Sequence, residues 1–137
     1  MLRAVLDTNI IVSASLRGDG RQAQILSLAL SDVFRMCVSE AILEEYEGVL
    51  RRERFHLSTT KVTSVLEAIR EHALLVHPKA RIAASQDASD NMFLECAVEA
   101  GARFLVTGNL RHFPQSFRGV TVVSPLQFQL ALPGLMT

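Results

Sequence analysis

Short runs of aliphatic and β-branched residues alternate along the chain with longer stretches in which apolar positions recur every three or four residues. The runs Leu2–Leu6, Phe34–Val38, Ala73–His77, Arg103–Thr107 and Val120–Val123 read as strands. Helical windows fall between them at 9–16, 21–31, 40–53, 59–72 and 90–101, with a short one at 125–131. Near-continuous apolar strands are covered on both faces, and their alternation with helices implies parallel β/α units. The pattern predicts an α/β fold in three αβα layers around a central parallel sheet of about five strands. No repeat, low-complexity tract or linker divides the 137 residues, so 1–137 reads as a single domain with its core at about 2–128. Leu132 to Thr137 reads as a frayed tail, and 78–89 is the longest irregular stretch. Long loops of that sort are often functional.

Polar residues interrupt the apolar pattern at four points where strands should end or helices begin: Asp7-Thr8-Asn9, Glu44-Glu45-Tyr46, Asp87 to Asp90, and Thr107-Gly108-Asn109. In open α/β sheets, ligands bind beyond the carboxyl ends of the strands, where strand order reverses. Asp7 directly follows the first strand, and Asn109 lies just past the fourth. If those strands are neighbours at the reversal, both side chains overhang one crevice. Carboxylates gathered there repel one another unless a cation joins them, and their hard oxygens suit Mg²⁺ or Mn²⁺.

Each acid also has an ordinary structural explanation. Asp7 or Asn9 could cap the following helix. In 40–53, Ile42, Leu43, Tyr46, Val49 and Leu50 form one buried stripe. At ~100° per residue Glu44 points away from it, while Glu45 and Glu47 flank it and remain indistinguishable by periodicity. Asp90 falls inside the apolar stripe of its helix, where an ionised carboxylate is costly unless paired or metal-bound. An Asp87–Asp90 capping box would explain an acid there but not its inward direction. Gly108-Asn109 after a strand is by itself only a turn signal.

Composition narrows the chemistry. Basic and acidic residues balance at 14 each, which argues against broad electrostatic capture of nucleic acid. Local clusters remain at Arg51, Arg52 and Arg54 and at Arg17 and Arg21, with solvated arginine as their simpler reading. The four histidines, 56, 72, 77 and 112, lack zinc-ligand spacing. No nucleophile elbow or glycine-rich phosphate cradle occurs. A haloacid-dehalogenase-type phosphatase needs Asp-x-Asp, and Asn9 stands where its second acid belongs. A phospho-receiver domain needs an accepting Asp after a middle strand, which Val38-Ser39 does not supply. Cys37 and Cys96 read as reduced core thiols. The apolar runs are too short for a bilayer, and Asp7 interrupts any leader shape, so the expected location is the cytoplasm with no membrane partner.

Four stretches in order resemble the PIN domain, the nuclease module of VapC-like toxins. They are Val5-Leu6-Asp7-Thr8-Asn9, Ser39 through Leu50, Asp87 through Ala97, and Phe104 through Phe113, followed by Val122-Val-Ser-Pro-Leu-Gln-Phe128. The resemblance implies a catalytic set of Asp7, Glu45, Asp90 and Asn109. Asp7, Asp90 and Glu45 would hold the metal, and Thr8, Asn9 and Thr107 would support them. Three features depart from the family pattern: Asn109 where an Asp is common, His112 in place of a further acid, and Gln127 where Glu is frequent. The activity implied by the resemblance is that of a Mg²⁺-dependent (or Mn²⁺-dependent) endoribonuclease, leaving a 5′-phosphate and a 3′-hydroxyl. It would be the toxin of a type II toxin–antitoxin pair, with RNA as substrate, a cognate antitoxin as partner and a homodimer as a further expectation. The alternative is a catalytically silent PIN-like module that binds RNA or protein.

Overall fold

The computed structural model describes residues 1–85 and 87–136. Its elements are β1 (Arg3–Leu6), α1 (Thr8–Leu16), α2 (Arg21–Leu30), β2 (Arg35–Val38), α3 (Glu40–Leu50) and α4 (Thr59–His72). They continue with β3 (Leu74–Leu75), α5 (Asn91–Ala100), β4 (Phe104–Val106), β5 (Ser116–Phe117), β6 (Val120–Val123) and α6 (Pro125–Met136). Single 3₁₀ turns occupy Glu53–Phe55, Ala88–Asp90 and Leu110–His112.

Strand order is β3-β2-β1-β4-β6-β5. Every pairing is parallel except β5 with β6. The chain therefore moves outward from β1 to β3, then crosses back to place β4 on the other side of β1. That reversal sits between β1 and β4, where Leu6 is in register with Val106. Backbone pairing runs one step beyond the strands: the Asp7 N–H donates to Val106 O and the Thr107 N–H to Val123 O, both at 2.9 Å. The two polar residues are thus fixed by the sheet ladder rather than left in loops.

The three-layer α/β expectation holds, and all five anticipated strands are present. The sixth, β5, reaches β6 through Arg118-Gly119, both at positive φ (48° and 86°). Two such residues make the tight hairpin turn whose twist suits antiparallel strands. A two-residue strand is too short to show alternation, which is why the hydrophobic pattern missed it. The sixth helix continues to Met136 instead of ending near 131, with Leu132 buried, so the tail anticipated from Leu132 is helical as far as Met136. Thr137 lies outside the described residues, as does Gln86 in the irregular stretch.

Side-chain caps set the starts of several helices. Asp7 caps α1, Ser39 caps α3 through Ile42 N–H, and Ser58 caps α4 through Lys61 N–H. The core is aliphatic around the strands and aromatic under α6. Phe128 is fully buried and meets Phe34 and Phe104 edge-on, with centroids 5.0 and 5.8 Å away. Phe128→Ala should therefore destabilise the fold by about 3–5 kcal/mol, because it deletes a ring and leaves a cavity between helix and sheet. Urea unfolding followed by circular dichroism would measure it.

Candidate active site

β1 ends at Leu6, and the chain turns directly into α1 through Asp7. Backbone dihedrals of −63° and 154° make Asp7 the N-cap, and its Oδ1 accepts the Thr8 N–H at 2.7 Å. Capping uses only part of the carboxylate. Oδ2 accepts the Thr107 hydroxyl at 2.7 Å and the Asn9 amide at 3.2 Å. Asp7 is 5% exposed. Burial raises its pKa above the ordinary carboxylate value, the Thr107 and Thr8 hydrogen bonds oppose that, and the charges of Asp90 and Glu45 add to the rise. The mutual repulsion means that the three acids sense one another.

Thr107 links the two strand ends. Its hydroxyl donates to Asp7 and accepts the Asn109 N–H at 2.9 Å. Asn9 makes the parallel link, its carbonyl oxygen accepting the Gly108 N–H at 3.2 Å. Asn109 itself is exposed at the mouth of the crevice.

Glu45 arrives on α3, which is tied to the sheet one residue away from each acid. The buried Tyr46 hydroxyl donates to the Leu6 carbonyl oxygen. Burial pushes the Tyr46 pKa well up, so the phenol keeps its proton. Beside it, Glu45 Oε2 accepts the Thr8 hydroxyl at 3.2 Å. The structure separates the two glutamates that periodicity left equivalent. Glu45 is half-buried, whereas Glu47 is exposed and pairs with Arg51 at 2.9 Å.

Asp90 closes the 3₁₀ turn before α5 and makes no capping bond with its side chain. Asp87 caps that turn instead, accepting the Ser89 N–H at 3.0 Å, so no Asp87–Asp90 capping box forms. The side chain of Asp90 is 16% exposed, and His112 Nδ1 stands 3.2 Å from its Oδ2. Its pKa is raised by burial and by the Asp87 charge, against the pull of His112. The Asp87 carboxyl is held below its usual value by the Ser89 hydroxyl and backbone N–H.

All four acid or amide positions line one cleft of about 340 Å³, together with Thr8, Asn9, Asp87 and His112. Thr107 is fully buried beneath Asp7. Arg52, Arg54 and Phe55 form part of the same wall, a placement that no periodicity or motif announces. Among the described residues, no three His, Cys, Asp or Glu side chains stand as a ready-made metal cage. The donor chemistry nevertheless fits a hard divalent cation. An ionised carboxylate has about four acceptor directions, and the three hydrogen bonds to Asp7 leave one open.

A family model described as "PIN domain" matches residues 3–111. The chain belongs to the PIN-domain family. An uncharacterized protein of Methanocaldococcus jannaschii is 25% identical over 111 residues, covering 79% of this chain and 71% of that protein. The fold is similar to DNA-bound VapBC from Salmonella typhimurium, at TM-score 0.62 and 20% identity, over 91% of this chain and 99% of that one. It is also similar to VapBC2 from Rickettsia felis bound to a DNA fragment from its promoter, at TM-score 0.57 and 16% identity over 90% and 98% of the two chains. FitAcB from Neisseria gonorrhoeae gives TM-score 0.57 and 24% identity with the same coverage.

The raised pKa of Asp7 fixes the sign of a stability effect in this PIN domain. A carboxyl whose folded pKa exceeds its unfolded value favours folding below the unfolded pKa, and that contribution is lost as pH rises through the folded value. Asp7→Asn removes the titration. The stability of Asp7→Asn relative to the unaltered chain should therefore be more favourable at pH 7 than at pH 3. Denaturant unfolding in EDTA at the two pH values would test this; an equal difference at both would contradict it.

Proposed function

We propose that this PIN domain is a Mg²⁺-dependent (or Mn²⁺-dependent) endoribonuclease and the toxin component of a type II toxin–antitoxin pair. The observation that carries the reading is the convergence of Asp7, Glu45 and Asp90, from three separate elements, on one cleft at the strand-order reversal. Their oxygens, with Asn109, are the donors that would hold the ion. When bound, the ion lowers the pKa of water and offsets negative charge developing on the phosphoryl oxygens.

The chain's own residues provide the positioning. Thr107 and the Thr8 N–H hold Asp7 in one orientation, and the Thr8 hydroxyl orients Glu45. Such orienting bonds tune ligand geometry and affinity. Asn9 and Gly108 hold the two sides of the crevice together beneath the substrate. Asn109, neutral and at the mouth, can hydrogen-bond a phosphate or a water without adding repulsion.

The structural neighbours crystallised as VapBC and FitAcB assemblies support a cognate antitoxin as a protein partner here, and a homodimer belongs to the same reading. No described helix is long and apolar enough to cross a membrane, in keeping with a cytoplasmic site of action. One observation favours a catalytically silent module instead: His112 beside Asp90 occupies an acid that the metal would need.

Cleavage of labelled single-stranded RNA with Mg²⁺ and with EDTA separates the two readings. Mg²⁺-dependent cleavage is expected, with Asp90→Asn reducing kcat/KM by about 100-fold or more and Thr8→Val by about 10-fold. Equal cleavage by Asp90→Asn and the unaltered chain would reject the site; no cleavage with Mg²⁺ would favour the silent module.

A further inference from the structure

The acidic cleft has a basic and aromatic wall that the hydrolytic reading leaves without a role. α3 ends at Leu50, and the chain leaves it through Arg52 in an extended conformation before the 3₁₀ turn Glu53–Phe55. His56, at a φ of 54°, closes that turn in the left-handed region and fixes its direction. Phe55 is half-buried and packs against the core, so its ring is anchored. The Arg54 guanidinium lies over that ring, 4.8 Å from its centroid. Arg52, Arg54 and Phe55 all border the cleft that contains Asp7, Glu45 and Asp90.

Ion pairing distinguishes two of the neighbouring arginines from the third. Arg51 is neutralised by Glu47 at 2.9 Å. Neither Arg52 nor Arg54 has a carboxylate within ion-pair distance among the described residues, and both are exposed. The chain has no net charge, with 14 basic and 14 acidic residues, so it cannot draw a polyanion in by its overall field. A strand approaching three carboxylates needs local cations to offset the repulsion.

We propose that Arg52, Arg54 and Phe55 form a subsite for single-stranded RNA flanking the bond to be cut. Arg52 and Arg54 contact backbone phosphates, and the Arg54–Phe55 stack is a platform for one unpaired base. Guanidinium planes and aromatic rings both accept splayed-out bases, and stacking of this kind tolerates any sequence. The assignment deepens the nuclease reading and rests on it for the identity of the polymer.

The test is fluorescence anisotropy with a labelled single-stranded RNA oligonucleotide in EDTA, across a series of salt concentrations. Each phosphate contact on a single strand contributes about 0.7 to the slope of log affinity against log salt. Replacing both Arg52 and Arg54 with Ala should weaken binding and flatten the slope by about 1.4, equivalent to two contacts. Phe55→Leu, which keeps an apolar side chain in the half-buried position, should weaken binding by roughly 5-fold or more and leave the slope unchanged. Arg51→Ala should behave as the unaltered chain, and circular dichroism would establish that each variant is folded.

Unchanged affinity and slope in the double arginine variant would overturn the subsite, as would absence of salt-dependent RNA binding by the intact chain. A cleavage arm with Mg²⁺ keeps the two readings apart. An intact chain that binds with these variant effects but does not cleave would overturn the nuclease and leave the subsite standing. An intact chain that cleaves, and whose double variant retains its binding and KM, would overturn the subsite alone.

Discussion

Placing a carboxylate where water hardly reaches it is unfavourable unless the surroundings replace its hydration. Asp7 meets that requirement with three donors drawn from two strand ends: the Thr8 N–H, the Asn9 amide and the Thr107 hydroxyl. The same donors fasten β1 to β4 at the reversal of strand order, through Thr107 directly and through the Asn9–Gly108 bond beside it. Satisfying one buried charge and assembling the crevice are therefore a single arrangement. Tyr46 extends it to α3 by donating to the carbonyl immediately before Asp7, which brings Glu45 within reach of Thr8.

This explains why the acids sit together although they are far apart in the chain. The three are borne by a strand end, a helix and a 3₁₀ turn, and each is brought in by a different contact. Asp90 depends least on the hydrogen-bond network around Asp7 and has His112 as its neighbour instead. That histidine pulls the Asp90 pKa down, where a further acid would push it up.

Much of the architecture was legible because strands and helices differ in period. Five strands and six helices follow from that contrast, with small differences at their ends. The turn at Arg118-Gly119 carried a signal in Gly119, but two paired residues are too few to reveal a strand. Sequence also pointed to Asp7 and to the inward direction of Asp90. What periodicity could not decide depended on distant neighbours. Glu45 and Glu47 are equivalent on a helical wheel and differ only once Thr8 and Arg51 take one each. The closeness of His112 to Asp90 spans 22 positions and no periodicity encodes it. Arg54 and Phe55 lie on a single irregular turn, so their stacking and their place on the cleft wall emerged only from the folded chain.

Both outer borders of the sheet are very short. β3 and β5 contain two residues each, Leu74–Leu75 on one side and Ser116–Phe117 on the other. A long open border offers unpaired amide and carbonyl groups as a template on which foreign chains can add. Here neither side presents more than a stub, and one is joined to its neighbour by a tight reverse turn. Borders this short leave a neighbouring chain little backbone to pair with.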